Sequence, residues 1–367
     1  MKILILAAGN DIHTVRWCNQ LSENQRNEVH LCYVSNQKPS IDAFSNKVFL
    51  HELKYPSPYG YYLNIFELKK IIKKIKPNIL NTHYASGYGT LGRISRFSPH
   101  LISVYGSDVY DFPYQNRFNM RLITKNLKNA DSIASTSNAM AIQVTKLIEC
   151  ELEDIHITPF GVDVKKFHLK SSEKRDNEFV IGSIKKLSAK YGIKYGILAV
   201  NYLIKDLLTD EERSRIKLKY NIYGEGEEKS DLQRLVSECG LEEIVVFKGK
   251  IANSEVPKAL NELDVFLGTS ILDSESFGVA IVEAMACQVP VIVTDVDGFK
   301  EVVDNGKAGI IVSRKNFIEM AEQILKLLRN PKLRIEIGEK QRKHVMNRYD
   351  WIENVKKMES IYELIEH

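Results

Sequence analysis

The stretch that decides the fold runs from Glu275 to Asp295 and reads E-S-F-G-V-A-I-V-E-A-M-A-C-Q-V-P-V-I-V-T-D. A turn at Gly278 precedes a helical run, whose open backbone N–H groups suit a phosphate. Glu275 lies before this helix, and Glu283 lies about a turn and a half inside it. Carboxylates accept hydroxyl groups well, so the pair predicts binding of an elongated ligand that carries sugar hydroxyls. The alternative is a capped amphipathic helix with two exposed acids.

This segment resembles the signature of retaining glycosyltransferase family four, whose members have the GT-B architecture. The family usually has E-G-F-G and A-C-G-V-P, and this chain has Ser276 and Gln288 in place of two of the glycines. Gln288 stands where the helical run ends, and a helix end prefers a left-handed residue there. Gln288 is therefore expected to cost about a kilocalorie or to adopt another turn. The resemblance implies an α/β fold with two Rossmann-like, doubly wound domains that face a central cleft.

Length and composition agree with such a fold. A chain of 367 residues with 44% hydrophobic and 27% charged residues predicts two globular domains of comparable size. No apolar run approaches the roughly 20 residues of a transmembrane helix, and the N-terminal M-K-I-L-I-L-A-A-G predicts a buried strand rather than a signal peptide. The five cysteines are scattered, so we expect reduced thiols in a cytoplasmic protein, with neither a disulfide framework nor a metal site.

Short apolar runs alternate with helical runs in both halves, which predicts parallel sheets covered on both faces. The predicted strands of the first half begin at Ile3, Val29, Asn78, His100 and Asp131. The run I-T-P-F-G-V-D-V-K-K-F at 157–167 resembles the family's segment before the domain linker, and a polar run follows it. We therefore predict an N-terminal acceptor-side domain at 1–168 and a nucleotide-sugar domain at 169–349. The family implies that a helix at 350–367 crosses back to the first domain.

A second resemblance concerns I-G-S-I-K-K-L-S-A-K-Y-G at 181–192, which is similar to the family's G-R-L-x-x-x-K-G loop. There, two basic residues hold the donor diphosphate. Alignment gives these places to Lys186 and Lys190, and Lys185 stays open because the register is off by one. The catalytic residues implied by the resemblance are thus Lys186, Lys190 and Glu275. The predicted donor contacts are Gly9, Gly224, Gly226, Phe277, Gly278, Val279 and Glu283.

The predicted acceptor side lies where strands of the first half end. The run V-Y-G-S-D has Tyr105 where many family members have a histidine that contacts the donor sugar. The phenol of Tyr105 can still donate a hydrogen bond. Four acceptor-side candidates follow, although each of them also fits a structural role: His83, Ser86, Tyr105 and Asp108.

Positive charge is concentrated between Lys47 and Lys128, which holds 13 basic and 4 acidic residues, a local charge of +9. Such a stretch predicts an anionic partner, such as a phospholipid surface or a lipid diphosphate, and the alternative is a solvated helix face. We expect a cytoplasmic protein. If the anionic partner is a phospholipid surface, the protein is expected to be peripheral on the inner face of the plasma membrane. Nucleic acid is not an expected partner.

The resemblance implies a retaining, metal-independent transferase that moves a hexosyl unit from a UDP- or GDP-linked sugar to an acceptor hydroxyl. The acceptor is expected to be a glycan or a lipid-linked molecule in bacterial surface polysaccharide or glycolipid assembly. The nucleotide sugar is a co-substrate, and no cofactor is expected, because no D-x-D motif in a nucleotide-binding loop and no Cys/His cluster offers metal ligands. Two alternatives stay open: a non-catalytic GT-B subunit of a glycosylation complex, and a nucleotide-sugar epimerase on the same fold.

Overall fold

A computed structural model describes residues 1–170 and 177–366 of the chain. The chain divides into two compact units. The first consists of Met1–Pro159 and Ile352–His367, and the second is Phe160–Trp351.

This division comes before the predicted boundary at 168/169. Val162 forms a bridge with Asp350, and the guanidinium of Arg342 donates to the carbonyls of Val164 and Phe167 at 2.8 and 2.5 Å. These contacts tie 160–168 to the second unit. The polar run predicted as the linker falls largely on 171–176, which lie outside the described residues.

The first unit is built on a parallel sheet of seven short, mostly buried strands. They are β1 (Lys2–Leu6), β2 (Glu28–Val34), β3 (Val48–Leu53), β4 (Ile79–His83), β5 (His100–Val104), β6 (Ser132–Ser135) and β7 (Ile155–Ile157). Their order is β3-β2-β1-β4-β5-β6-β7. The helices between them are α1 (Ile12–Glu23), α2 (Gly60–Leu63), α3 (Ile65–Ile75), α4 (Gly87–Ser95), α5 (Ser107–Tyr110), α6 (Arg117–Lys128) and α7 (Asn138–Ile148).

The second unit repeats this plan with six parallel strands. They are β8 (Glu178–Ile184), β9 (Lys217–Tyr223), β10 (Val245–Gly249), β11 (Val265–Gly268), β12 (Val291–Thr294) and β13 (Ile310–Val312), in the order β10-β9-β8-β11-β12-β13. Its helices are α8 (Ile193–Tyr202), α9 (Asp210–Arg215), α10 (Lys229–Cys239), α11 (Val256–Asn261), α12 (Val279–Ala286), α13 (Asp297–Val302), α14 (Phe317–Arg329) and α15 (Pro331–Arg348). The predicted α/β class with two Rossmann-like units is confirmed.

The last helix, α16 (Trp351–Glu366), returns almost entirely to the first unit. The side-chain amide of Asn81 on β4 donates to the hydroxyl oxygen of Tyr362 at 2.7 Å in the buried interior. The amide of Asn27 donates to the carboxylate of Glu359 at 2.6 Å. These bonds hold α16 against the sheet of the first unit.

Each sheet reverses its strand order at one place, between β1 and β4 in the first unit and between β8 and β11 in the second. The loops that leave two such strands diverge to opposite faces of the sheet and open a crevice at the carboxyl ends, where ligands of these sheets bind. Among the residues the structure describes, no helix is both long and apolar enough to cross a membrane. All five cysteines are free thiols.

Candidate active site

A pocket of the second unit lies at the strand-order reversal between β8 and β11. Its wall combines the loop after β8, the loop after β11 and the start of α12. The residues that matter here are Lys185, Tyr191, Thr269, Ser270, Gly278 and Ala280. The pocket therefore occupies the position where this topology places ligands.

The loop after β8 is held by close contact with the loop after β9. The N–H of Lys185 donates to the carbonyl of Tyr223 at 2.9 Å. A β-carbon on Gly224 would lie 1.9 Å from the carbonyl oxygen of Lys185, and one on Gly226 would lie 2.1 Å from that of Leu187. The two glycines thus allow the backbone to support the basic loop. Their predicted contact with the donor stays a prediction.

Lys185 forms an ion pair with Glu275, with 2.7 Å between Nζ and Oε2. The two side chains are only 29% and 10% exposed. The ammonium groups of Lys185 and Lys190 also lie 4.6 and 5.0 Å from the ring centroid of Tyr191, within reach of a cation–π interaction. Two of the three candidate lysines therefore gather at Tyr191 beside the pocket.

Lys186 is placed differently. Its ammonium lies 3.2 Å from the carboxylate of Glu227, and both side chains are 61% exposed. Hydrogen bonds from Ser188, from the residue's own backbone and from Lys186 lower the pKa of Glu227 to about 2. The alignment that gave Lys186 the arginine's place thus selects a solvent-facing lysine, and the structure brings its neighbour Lys185 to the pocket.

The turn before α12 is fixed by packing below it. Gly278 has φ of +81°, a left-handed conformation that favours glycine. The buried ring of Phe277 packs edge-on against Phe160 and Tyr349, with centroid distances of 5.8 and 5.4 Å. The Phe277 side chain is therefore an anchor, and the ligand contact predicted for Phe277, Gly278 and Val279 falls to their backbone.

Helix α12 begins directly at this turn. The N–H groups of Val279 and Ala280 precede the first hydrogen bond of this turn, which runs from Ile281 to the carbonyl of Gly278 at 3.0 Å. A helix start of this kind is electropositive. Glu283 is half-buried and lies in the second turn of the same helix. Glu275 and Glu283 thus flank the helix start along the chain, as predicted from their spacing.

Arg314, which follows β13, fixes the segment that leads to Glu275. Its guanidinium donates to the carboxylates of Asp273 and Asp295 at 3.2 and 3.0 Å and to the backbone carbonyl of Asp295 at 3.0 Å. Partial burial alone would raise the pKa of Asp295, but the hydrogen bonds from Arg314 lower it below its usual value. The sequence analysis did not identify Arg314. The sequence shows only a single arginine after an apolar strand, and that pattern does not indicate which carboxylates the arginine binds.

In the first unit, Gly9 serves the packing of the loop after β1. Its N–H donates to the carbonyl of Gln37 at 2.9 Å, and a β-carbon there would lie 2.8 Å from Pro39. The backbone that approaches Gly9 is the chain's own. This differs from the predicted phosphate contact, because the amide already has a partner.

Asp108 is also structural, which corrects its assignment as an acceptor contact. It is 2% exposed, and its carboxylate accepts from the backbone N–H groups of Ala85, Tyr105 and Gly106 at 2.8, 3.2 and 2.9 Å. Burial raises the pKa of Asp108, although these three donors counter the rise. The side chain joins the loops after β4 and β5 rather than facing a ligand.

The other three acceptor-side candidates lie at the same sheet edge. The rings of His83 and Tyr105 pack edge-on with centroids 5.0 Å apart, and Ser86 precedes α4. Burial lowers the pKa of His83 to about 4, so the imidazole is neutral at pH 7. Tyr84 also packs on Tyr105 and has φ of +69°, which is rare for a bulky residue. The structure therefore gathers an aromatic cluster here, and its role in acceptor binding stays a prediction.

Across the described ranges 1–170 and 177–366, no group of three His, Cys, Asp or Glu side chains is placed to hold a metal ion. Asp295 and Asp297 form a D-x-D pattern, but both carboxylates have partners within the protein. Asp295 accepts from Arg314, and Asp297 pairs with Lys300 at 2.7 Å.

Two family models match the chain. Residues 164–344 match glycosyl transferases group 1, and residues 2–137 match the glycosyl transferase 4-like model. The chain belongs to the group 1 glycosyltransferases. This confirms the resemblance to family four and makes the chain a transferase, so the epimerase and the non-catalytic subunit are not supported.

Individual relatives agree with the family. The chain is 23% identical over 357 residues to N-acetyl-alpha-D-glucosaminyl L-malate synthase of Bacillus anthracis, covering 94% of this chain and 90% of that protein. It is 29% identical over 188 residues to a putative colanic acid biosynthesis glycosyltransferase of Salmonella typhimurium, covering 50% and 44%. The solved structure of Anabaena HepE in complex with UDP matches with a TM-score of 0.81 at 17% identity, covering 99% of this chain and 100% of that one. The last similarity shows the GT-B fold.

We predict that Arg314→Gln lowers the rate of transfer by about tenfold or more with little effect on nucleotide affinity. The substitution would loosen the segment that leads to Glu275, the predicted catalytic carboxylate, and a misplaced group reacts more slowly. Steady-state kinetics and calorimetry with the free nucleotide separate the two effects. The matched control is Arg329→Gln, which removes an arginine–carboxylate pair with Glu212 on the surface of the same unit. Equal kinetic losses in both variants would show that Arg314 acts only through general stability.

Proposed function

We propose that this glycosyltransferase moves a hexosyl unit from a UDP- or GDP-linked sugar to an acceptor hydroxyl, with retention of configuration and without a metal ion. The observation that carries the proposal is the ion pair that Lys185, which lines the pocket with Gly278, forms with Glu275. This arrangement offers positive charge for phosphates and a carboxylate for sugar hydroxyls within one small region.

The donor diphosphate is held by Lys185, Lys190 and the N–H groups at the start of α12. Both ammonium groups lie near the ring of Tyr191, which lines the pocket with Lys185. Cations beside a departing diphosphate offset the negative charge that grows as the glycosidic bond breaks. They do the work that a divalent ion does at other phosphate sites, which is the reason for proposing metal independence.

The two glutamates divide the hydroxyl groups of the donor. Glu275, next to Lys185, orients the hydroxyls of the sugar, and Glu283, in the second turn of α12, accepts from the ribose. An ionised carboxylate has two acceptor oxygens and no donor, so it matches a pair of neighbouring hydroxyls.

The chemical step breaks one bond and forms another on the same face of the sugar. The bond from the anomeric carbon to the diphosphate oxygen breaks, and the electron pair leaves with the diphosphate. The acceptor oxygen bonds to the anomeric carbon, and its proton passes to a diphosphate oxygen. The nucleoside diphosphate and the glycosylated acceptor are the only products, so no oxidant, reductant or enzyme nucleophile is needed.

The comparisons support the classes of donor and acceptor. HepE, which shares the fold, was solved with UDP and with UDP-glucose. The Salmonella relative is named for colanic acid biosynthesis. We infer that the acceptor is a glycan or lipid-linked molecule of bacterial surface polysaccharide or glycolipid assembly, and that the first unit binds it.

The donor class and the metal independence can be tested together by thermal shift in the presence of EDTA. We expect one UDP- or GDP-sugar to raise the melting temperature, because a ligand at 100 times its dissociation constant stabilises by about 2.7 kcal/mol. UMP and GMP serve as controls that lack the second phosphate, and they should stabilise less. A shift that appears only with added Mg²⁺ would contradict metal independence, and no shift with any donor would contradict the donor class.

The lysines can be separated by substitution. Lys185→Ala and Lys190→Ala should each lower turnover by roughly 100-fold, because each removes a cation that acts on the leaving group. The matched control is Lys186→Ala, which should stay close to wild type, and Lys185→Arg should retain part of the activity. The readout is release of nucleoside diphosphate. If Lys186→Ala lost turnover while Lys185→Ala turned over normally, Lys186 would be the diphosphate ligand, as the alignment first gave it.

The glutamates should differ in what they bind. Glu283→Ala should weaken binding of the free nucleoside diphosphate, because its partner is the ribose. Glu275→Ala should leave that binding nearly unchanged and depress transfer, because its partner is the sugar. Calorimetry with UDP and GDP, together with transfer assays, measures both effects. The reverse order of effects would overturn the two roles.

A further inference from the structure

A surface of the first unit combines exposed aromatic and aliphatic side chains with a run of lysines. It lies on α2 and α3, which are separated only by Asn64. The N–H of Asn64 donates to the carbonyl of Gly60 and its own carbonyl accepts from Leu68, so the helical bonding pattern passes through this residue. The segment therefore acts as one helix of about four turns.

One face of this helix is apolar and open to solvent. The exposed fractions are 73% for Tyr59, 45% for Tyr62, 54% for Leu63 and 78% for Phe66. Tyr62 and Leu63 lie three or four residues from both Tyr59 and Phe66, so all four lie on the same side of the helix. We call them, together with the lysines that follow, the α2–α3 face.

The lysines continue the face towards the end of α3. Lys69, Lys70 and Lys73 are exposed and lie three, four and seven residues after Phe66. The opposite side of the helix is fixed in the core, where Leu68 is fully buried and Ile75 nearly so. The exposed apolar residues are therefore not a poorly packed core face but a second, outward face.

The charge of this segment is strongly one-sided. Residues 54–76 contain six lysines and one glutamate, a net charge of +5. The carboxylate of Glu67 accepts from the backbone N–H of Lys54. Among the described residues, none of the exposed lysines of α3 lies within ion-pair distance of a carboxylate. Their charge is thus available to an anionic partner.

We propose that the α2–α3 face docks the first unit on an anionic phospholipid surface. Aromatic rings and leucine at one end of the face fit the boundary between head groups and acyl chains, where Tyr and Trp are enriched in membrane proteins. Lysines at the other end fit the lipid phosphates, and their long side chains reach the head groups. This narrows the broad basic stretch from Lys47 to Lys128 to one helix.

Vesicle sedimentation tests the docking. The wild-type protein should bind vesicles of phosphatidylglycerol and phosphatidylcholine, bind phosphatidylcholine alone much less, and dissociate as salt rises. Lys69→Gln with Lys73→Gln should weaken binding by roughly thirtyfold, because each lysine near such a surface contributes about fivefold. Tyr62→Ser with Phe66→Ser should weaken it by about tenfold or more.

Matched controls lie on α6 of the same unit. Lys125 and Lys128 are exposed lysines three residues apart, and Phe118 is an exposed phenylalanine. Lys125→Gln with Lys128→Gln, and separately Phe118→Ser, should leave vesicle binding unchanged. Equal losses in these controls, or equal and salt-insensitive binding to both vesicle types, would overturn the proposal.

A fluorescent probe locates the contact independently of affinity. Both native tryptophans, Trp17 and Trp351, are buried, so Phe66→Trp adds an exposed reporter. Its emission should shift to shorter wavelength on addition of anionic vesicles, whereas that of Phe118→Trp should not. No shift at position 66 would overturn docking by this face. Neither experiment contains donor or acceptor, so its failure is distinct from failure of the proposed transfer reaction.

Discussion

The ion pair between Lys185 and Glu275 is the interaction on which the site of the second unit depends. It joins the loop after β8 to the loop after β11, which leave the sheet at the strand-order reversal. A partly buried pair loses in desolvation much of what it gains in attraction, so its contribution lies in position rather than stability. It places a cation next to a carboxylate that accepts hydrogen bonds. This arrangement matches the proposed donor, which carries an anion next to hydroxyl groups.

Each partner of this pair is held by separate means. Backbone contact with Gly224 and Gly226 fixes the Lys185 loop, and the Arg314 clamp fixes the segment before Glu275. The N–H of Ile271 donates to the carbonyl of Lys190 at 2.9 Å, which ties the two loops together directly. Groups whose loops are held by such contacts need little reorganisation when charge develops, and this favours electrostatic stabilisation of a leaving group.

Much of this arrangement could be predicted from sequence where the pattern is local. Alternating strands and helices gave the two sheets, and the spacing of Glu275, Gly278 and Glu283 gave the helix start. Gln288 was expected either to sit in the left-handed position at a cost of about a kilocalorie or to adopt another turn, and its φ of +60° is left-handed. Strand β3 was not predicted, because it lies at the sheet edge and exposes Phe49, which breaks the buried apolar pattern.

Contacts between distant residues could not be predicted. The choice between Lys185 and Lys186 depends on which side of an irregular loop faces the pocket, and tandem lysines carry no periodicity to decide it. Arg314 and its partner Asp273 lie far apart in the chain. Asp108 follows a strand, as ligand-binding acids often do, but only the three amides around it identify it as structural.

The same distinction explains why the resemblance to the family is stronger in the second unit than in the first. In the second unit Lys185, Thr269 and Ser270 at the strand ends line one pocket, and the donor we propose would constrain them all at once. In the first unit Gly9 and Asp108 are committed to the chain's own backbone, so these two groups hold the fold, and the acceptor contacts that stay predicted at this edge are His83, Ser86 and Tyr105. The α2–α3 face has a different task in our proposal, which is to dock the unit on lipid. A surface that docks on lipid needs apolar area and positive charge, and it does not need particular side chains at fixed positions. A sequence signature records only fixed positions, so it does not record such a surface.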